Sequence, residues 1–168
     1  MNISHDEFNQ YYLPYIQLAA NQDIVLGLKE NVISVVDFYQ NIPSEKLEHA
    51  YAEGKWTPKD ILLHIIDTER VFFYRAMRIA RQDKTEMVGF EQDDYVDAGK
   101  ANNRTINSLI EEYKTVRNAT IALFDSFSDE ELKSIGKANG STVSVRALGF
   151  IITGHENHHN NVIREHYL

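Results

Sequence analysis

Apolar side chains recur along this chain every three to four residues and almost nowhere every two, and that period confines it to helices. Val25, Leu28, Val32, Val35, Val36 and Tyr39 form a first stripe, opened by Asp23 and closed before Pro43. A second opens with the strongest start signal in the chain. Thr57 stands as N-cap, Pro58 takes the first helical position and Asp60 completes a capping box. From there Ile61, His64, Ile65, Thr68, Phe72, Ala76 and Ile79 hold one face to about Arg81. The third stripe runs from Ile106 through Leu109, Ile110, Tyr113, Val116, Leu123 and Phe124 to Phe127, and Ser128 with Glu131 caps a short turn after it. The last begins near Ser144 with Val145, Leu148, Ile152, His155, His159 and Val162 on one face. Four helices of about 18 to 24 residues predict an all-α fold, a four-helix bundle with long crossover connections.

The connections are unequal. Gln82 to Asn103 is too long for a tight bundle loop, and such connections usually cover a site or cross over. It carries Gly89, Gly99 and a short helical patch at Asp94–Ala98. Lys133 to Val143 holds Gly136 and the turn signal Asn139-Gly140. At 168 residues, without repeat or linker, residues 1–168 are expected to form one domain.

Composition then removes whole classes of function. Lys plus Arg number 17 against 25 Asp plus Glu, a net charge of -8 with no basic block, which argues against nucleic acid. With no cysteine there are no disulfides, thiolate metal sites or cysteine nucleophile. The start Met1-Asn2-Ile3-Ser4-His5-Asp6-Glu7 lacks the pattern of a signal peptide. The longest charge-free stretch, Phe8 to Gln22, carries Pro14 and five Asn or Gln side chains, so no membrane span is expected. A cytoplasmic protein is the expectation.

Three of the seven histidines stand on apolar stripes: His64 on the second, His155 and His159 on the last. Positions four apart differ by about 40° around a helix, one turn along, so His155 and His159 point the same way. A third imidazole from a facing helix would complete a metal set in a bundle core. The alternative is three buried histidines satisfied by hydrogen bonds, each needing its own partner. Three neutral imidazoles would leave a bound ion its full charge and an open position, the pattern of catalytic rather than structural sites. Zinc is the default; nickel, iron, copper or manganese also accept such ligands. His158, adjacent to His159, could support the metal site from behind its ligands, but a helix-face hydrogen bonder or a dimer contact is favoured, and His5, His49 and His166 read as surface residues.

The string His155-Glu156-Asn157-His158-His159 also fits the H-E-x-x-H pattern of zinc proteases. Few residues remain downstream for another ligand, and no strand is expected on which a peptide could align. A hydrogen-bonding or solvated role for Glu156 is therefore favoured over that of a base.

The chain resembles the DinB-like branch of the DinB/YfiT-like superfamily of metal-binding four-helix bundles. Three stretches carry the likeness. They are Gly54-Lys55-Trp56-Thr57-Pro58-Lys59-Asp60 running on through His64 to Arg70 with Tyr74-Arg75-Ala76, then Gly89-Phe90-Glu91-Gln92-Asp93-Asp94-Tyr95, then Ser144-Val145-Arg146-Ala147-Leu148 with Gly154-His155-Glu156-Asn157-His158-His159. The resemblance implies one divalent metal ion per chain on His64, His155 and His159, and an antiparallel bundle with crossovers, often a homodimer. It implies a small-molecule substrate, since characterised relatives include transferases and isomerases that use a low-molecular-weight thiol, and others are described as hydrolases. Two readings result: a metal-dependent enzyme acting with thiol or water on a small electrophile, or a non-catalytic metal- or small-molecule-binding bundle.

Neighbouring residues complete the expectations. Glu69 points about 140° away from His64 and suits a salt bridge or a buried hydrogen bond to another helix. Asp67, about 60° off, could orient a ligand. Arg70, Arg75 and Arg78 could collect an anionic substrate, although such residues more often pair with nearby acids. Trp56 reads as a packing anchor, and Tyr95 as a cover for the metal mouth or a residue packing its loop.

Overall fold

A computed structural model describes residues 3–19 and 21–168. Met1, Asn2 and Ala20, which fall in the N-terminal segment and the charge-free stretch read above, lie outside the described residues. Seven helices follow in order: α1 (Leu13–Gln17), α2 (Ile24–Gln40), α3 (Pro58–Ala80), α4 (Gln92–Gly99), α5 (Ile106–Asp125), α6 (Asp129–Leu132) and α7 (Val145–His166). A hairpin of β1 (Ile135–Ala138) and β2 (Ser141–Ser144) precedes α7.

The four long helices start where side chains cap them. Asp23 Oδ1 accepts from the Leu26 N–H, Thr57 Oγ1 from Asp60, Thr105 Oγ1 from Ser108 and Ser144 Oγ from Ala147. Asp60 returns the bond by accepting the Thr57 N–H at 3.0 Å, closing the capping box. The predicted patch at Asp94–Ala98 is α4, and the Ser128–Glu131 cap starts α6.

The core falls into two apolar halves. One joins Leu28 of α2, Phe72 to Ala80 of α3, Phe124 of α5 and Val145 to Ile152 of α7. The other joins Val35 and Tyr39, Ile61 to Ile66, Leu109 to Tyr113, and Ile163. Following each helix from one half to the other gives its direction. α3 and α5 run the same way, and α2 and α7 run against them. The parallel pair α3 and α5 explains the length of the Gln82–Asn103 connection, because the chain must travel back along the bundle before α5 begins.

Between the halves lies a buried polar layer to which every long helix contributes: Asn31, Thr68 with Glu69, Arg117 with Thr120, and Thr153, His155 and Glu156. Arg117 is fully buried and centres it. Its Nε and Nη2 donate to both oxygens of Glu69 at 2.9 Å, and Nη1 and Nη2 donate to Glu156 at 3.0 and 2.7 Å. Nη1 also reaches the Leu28 carbonyl, and the Tyr113 hydroxyl donates to Glu156 at 2.9 Å. The ion pair expected for Glu69 is this one.

The hairpin corrects the expectation of a strandless chain. Asn139 and Gly140 both take positive φ, 51° and 72°, the two-residue turn that matches strand twist. With four residues to a strand, its period-two signal is too short to stand out. No helix among the described residues is long and apolar enough to cross a membrane.

Arg117→Met is expected to destabilise the fold by about 3–5 kcal/mol, since it leaves two carboxylates buried without their cation. Urea denaturation followed by circular dichroism measures it; a loss under about 1 kcal/mol would contradict a central role for the layer.

Candidate metal centre

His64 sits in the second turn of α3, where the capped start and the apolar neighbours Ile61 and Ile65 turn its ring inward. His155 and His159 are successive turns of α7. Glu156, locked onto Arg117, sets the rotation of α7, so both imidazoles face α3. His64 Nε2 lies 3.1 Å from His155 Nε2, and His159 Nε2 lies 3.0 Å from the same atom. One ligand nitrogen from each of the three lies within 4.8 Å of the others.

Hydrogen bonding alone satisfies this arrangement poorly. A ring nitrogen either carries a proton or accepts one, so His155 Nε2 can complete only one of its two short contacts. A shared cation satisfies all three. Two imidazoles on one tetrahedral ion with ~2.0 Å bonds would stand about 3.3 Å apart, close to the spacing present. The donor set therefore fits a divalent ion. His64 Nδ1 lies 3.4 Å from Thr68 Oγ1, a partner able to hold the ring's tautomer.

Electrostatics prepares the same outcome. Burial lowers His64 to about 4, and burial with the neighbouring imidazoles lowers His159 to about 3 and His155 well below its ordinary range. All three are neutral at pH 7, the form a metal requires.

The cluster opens into a cavity of about 630 Å³ lined on the α3 side by His64, Thr68, Phe72 and Arg75. Tyr12 and Tyr15 close one wall, and Gly89 to Gln92 and the hairpin tip close another. Asn9 Nδ2 donates to Ser141 Oγ at 2.9 Å, and the Asn139 N–H donates to the Met87 carbonyl at 2.8 Å, tying N-terminal segment, hairpin and long connection together. A Cβ on Gly154 would lie 1.6 Å from the Tyr15 carbonyl oxygen, so only glycine lets α1 dock here.

Other expectations resolve individually. Glu156 is fully buried, accepts from Arg117, Tyr113 and Asn31, and does not line the cavity, which leaves H-E-x-x-H without its base. His158 lines the cavity against the Tyr15 ring rather than serving the outer helix face. Asp67 pairs with Arg70 at 3.0 Å and orients no imidazole. Trp56 packs on His64, ring centres 4.7 Å apart, and its carbonyl accepts the Tyr167 hydroxyl. Tyr95 packs on Phe90 and stays outside the lining, so the long connection meets the cavity through Gly89–Gln92 instead. His5, His49 and His166 are exposed. Reading the sequence missed Tyr12 and Tyr15. Their only signal was the cluster Tyr11, Tyr12 and Tyr15 in a stretch without charge.

Comparison with known proteins gives the family and the fold. The family model described as DinB superfamily matches residues 34–163. Among solved structures, YfiT from Bacillus subtilis superposes with a TM-score of 0.75 at 13% identity, covering 98% of this chain and 90% of that one. It is described as a "probable metal-dependent hydrolase with an unusual four-helix bundle topology". YjoA, a DinB-like protein also from Bacillus subtilis, gives 0.59 at 20% identity over 88% of this chain and 90% of its own. No curated protein matches.

Two outcomes are expected. Gly154→Ala should cost about 1–3 kcal/mol, read as a lower denaturation midpoint, because α1 must withdraw; an unchanged midpoint would contradict the docking. In chelator, the unfolded chain takes up protons near pH 6.5 that the folded cluster refuses, so stability rises with pH. The melting temperature should be level above about pH 7 and fall from about pH 6.5 towards pH 4, with a shallower fall in His155→Gln. Parallel profiles for the two proteins would contradict a neutral buried cluster.

Proposed function

We propose that this chain, which belongs to the DinB superfamily, is a metal-dependent enzyme that brings a small electrophilic substrate to a divalent ion held by His64, His155 and His159. The observation that carries the reading is the convergence of three neutral imidazoles on the wall of an open cavity. Zinc is the expected ion from the ligand type, with nickel, iron and manganese as competitors. Bound there, the ion supplies Lewis acidity, bringing the pKa of a water or thiol that reaches it towards neutrality.

The chain's own residues do the rest. His64, His155 and His159 present Nε2 with little rearrangement, because Thr68 fixes one ring and the Arg117–Glu156 pair fixes the helix carrying the other two. No fourth histidine, aspartate or glutamate joins the three among the described residues, which would leave a coordination position for a substrate or nucleophile. Phe72 and the rings of Tyr12 and Tyr15 give the approach an apolar surface within a mixed polar lining. His158, with its pKa lowered by burial, is the other imidazole on the cavity wall and is placed to take a proton from an attacking nucleophile.

Elemental analysis of tag-free protein is expected to find about one divalent ion per chain, lost in His64→Ala, His155→Ala and His159→Ala while circular dichroism stays helical. No retention after reconstitution with zinc, nickel and manganese would overturn the reading. Turnover of an electrophile panel with and without added low-molecular-weight thiol separates transfer from hydrolysis, since a hydrolase needs no thiol.

A further inference from the structure

Two arginines are buried in this bundle, and they are treated differently. Arg117 is saturated by two carboxylates. Arg75 is 4% exposed, and its one protein hydrogen bond runs from Nη2 to the neutral Val88 carbonyl at 3.0 Å. Arg75 forms no ion pair with a carboxylate among the described residues. Its neighbours on the same helix behave otherwise: Arg70 pairs with Asp67 and Glu112, and Arg78 with Asp83. Among the described residues the only carboxylate lining the cavity is Glu91, which is exposed and does not pair with Arg75. A guanidinium cannot shed its proton to escape burial, so the charge stays and awaits a counter-ion.

The position of that charge is informative. His64, Thr68, Phe72 and Arg75 lie at about 0°, 40°, 80° and 20° around α3, one stripe forming one wall of the cavity. Arg75 follows His64 by about 16 Å along the axis, and its side chain leans back towards the imidazoles as helical side chains do. The cavity thus has a cationic seat at one end, the three imidazoles at the other, and Phe72 with Tyr12 between them.

We propose that Arg75 is the binding residue for an anionic group, a carboxylate in the first instance, on an elongated substrate whose apolar middle crosses Phe72 and whose reacting end lies at the histidine cluster. The reacting end rests on the function proposed above; the anion seat does not. A planar guanidinium with unused N–H donors matches a carboxylate in two-point geometry. Burial makes that pairing stronger than a surface contact.

The probes are the monohydroxamates of glutaric, adipic and suberic acids, each beside its methyl ester, titrated calorimetrically into zinc-loaded and metal-free protein. The hydroxamate engages the ion and the far carboxylate tests Arg75. For at least one chain length the acid is expected to bind at least about tenfold more tightly than its ester. Arg75→Gln should erase that difference while ester affinity, zinc content and helicity stay unchanged, and Arg75→Lys should restore part of it. Equal binding of acids and esters by the unaltered protein, with ester affinity still zinc-dependent, would overturn the anion seat and leave the metal reading intact. An acid preference that persists without any zinc dependence, and is lost in Arg75→Gln, supports the seat while the metal reading fails. The acid–ester comparison needs no variant, so it decides the proposal even where Arg75→Gln does not fold.

Discussion

Arg117 holds the bundle together at the level where the apolar core is interrupted. A guanidinium and two carboxylates without access to water are stable only if each donor and lone pair finds its counterpart, and that demand is directional. Glu69 fixes α3 and Glu156 fixes α7 against α5, the Leu28 carbonyl fixes α2 against α5, and Asn31 fixes α2 against α7. Apolar packing alone tolerates small rotations of a helix. This layer does not, and the rotation it sets on α7 aims His155 and His159 at His64. With both carboxylates ionised the layer carries one net negative charge, adjacent in sequence to a ligand, which favours a cation at the histidines. Burial raises the Glu156 carboxyl against the pull of Arg117 and so tempers that charge.

The cavity is assembled from parts the bundle does not need for its own core. The N-terminal segment, the long connection and the hairpin meet over the open end of the histidine cluster, joined by Asn9–Ser141 and by Met87 with Asn139. Parallel α3 and α5 oblige the chain to make the long return, and the return supplies a wall. The arginine balanced by carboxylates belongs to the scaffold, whereas the unbalanced one lines the cavity where a ligand would lie.

Much of this was legible in the residues. Helix starts were readable where Asp23, Thr57 and Ser144 act on N–H groups within three residues, so local chemistry announces them. His64, His155 and His159 stood out because a titratable ring on an apolar stripe demands a partner. The hairpin was hidden in a short stretch whose turn was visible and whose strands were not. Arg117 attracted no notice, since a lone arginine on a helix says nothing of whether its surroundings are solvent or two carboxylates from distant helices. Tyr12 and Tyr15 were missed for a similar reason, because their role depends on the close approach that Gly154 permits.

The sequence by itself determined the helices, their caps, the inward faces and the candidate ligands, all set by interactions spanning at most a turn or two. Only the tertiary structure decided which way the long helices run, that Glu156 serves the scaffold and not the cavity, and that Arg75 alone of three neighbouring arginines lacks an acid. Each of those depends on groups tens of residues apart meeting at hydrogen-bond distance. Periodicity states which face of a helix turns inward, but what that face meets is settled by the packing of the whole chain.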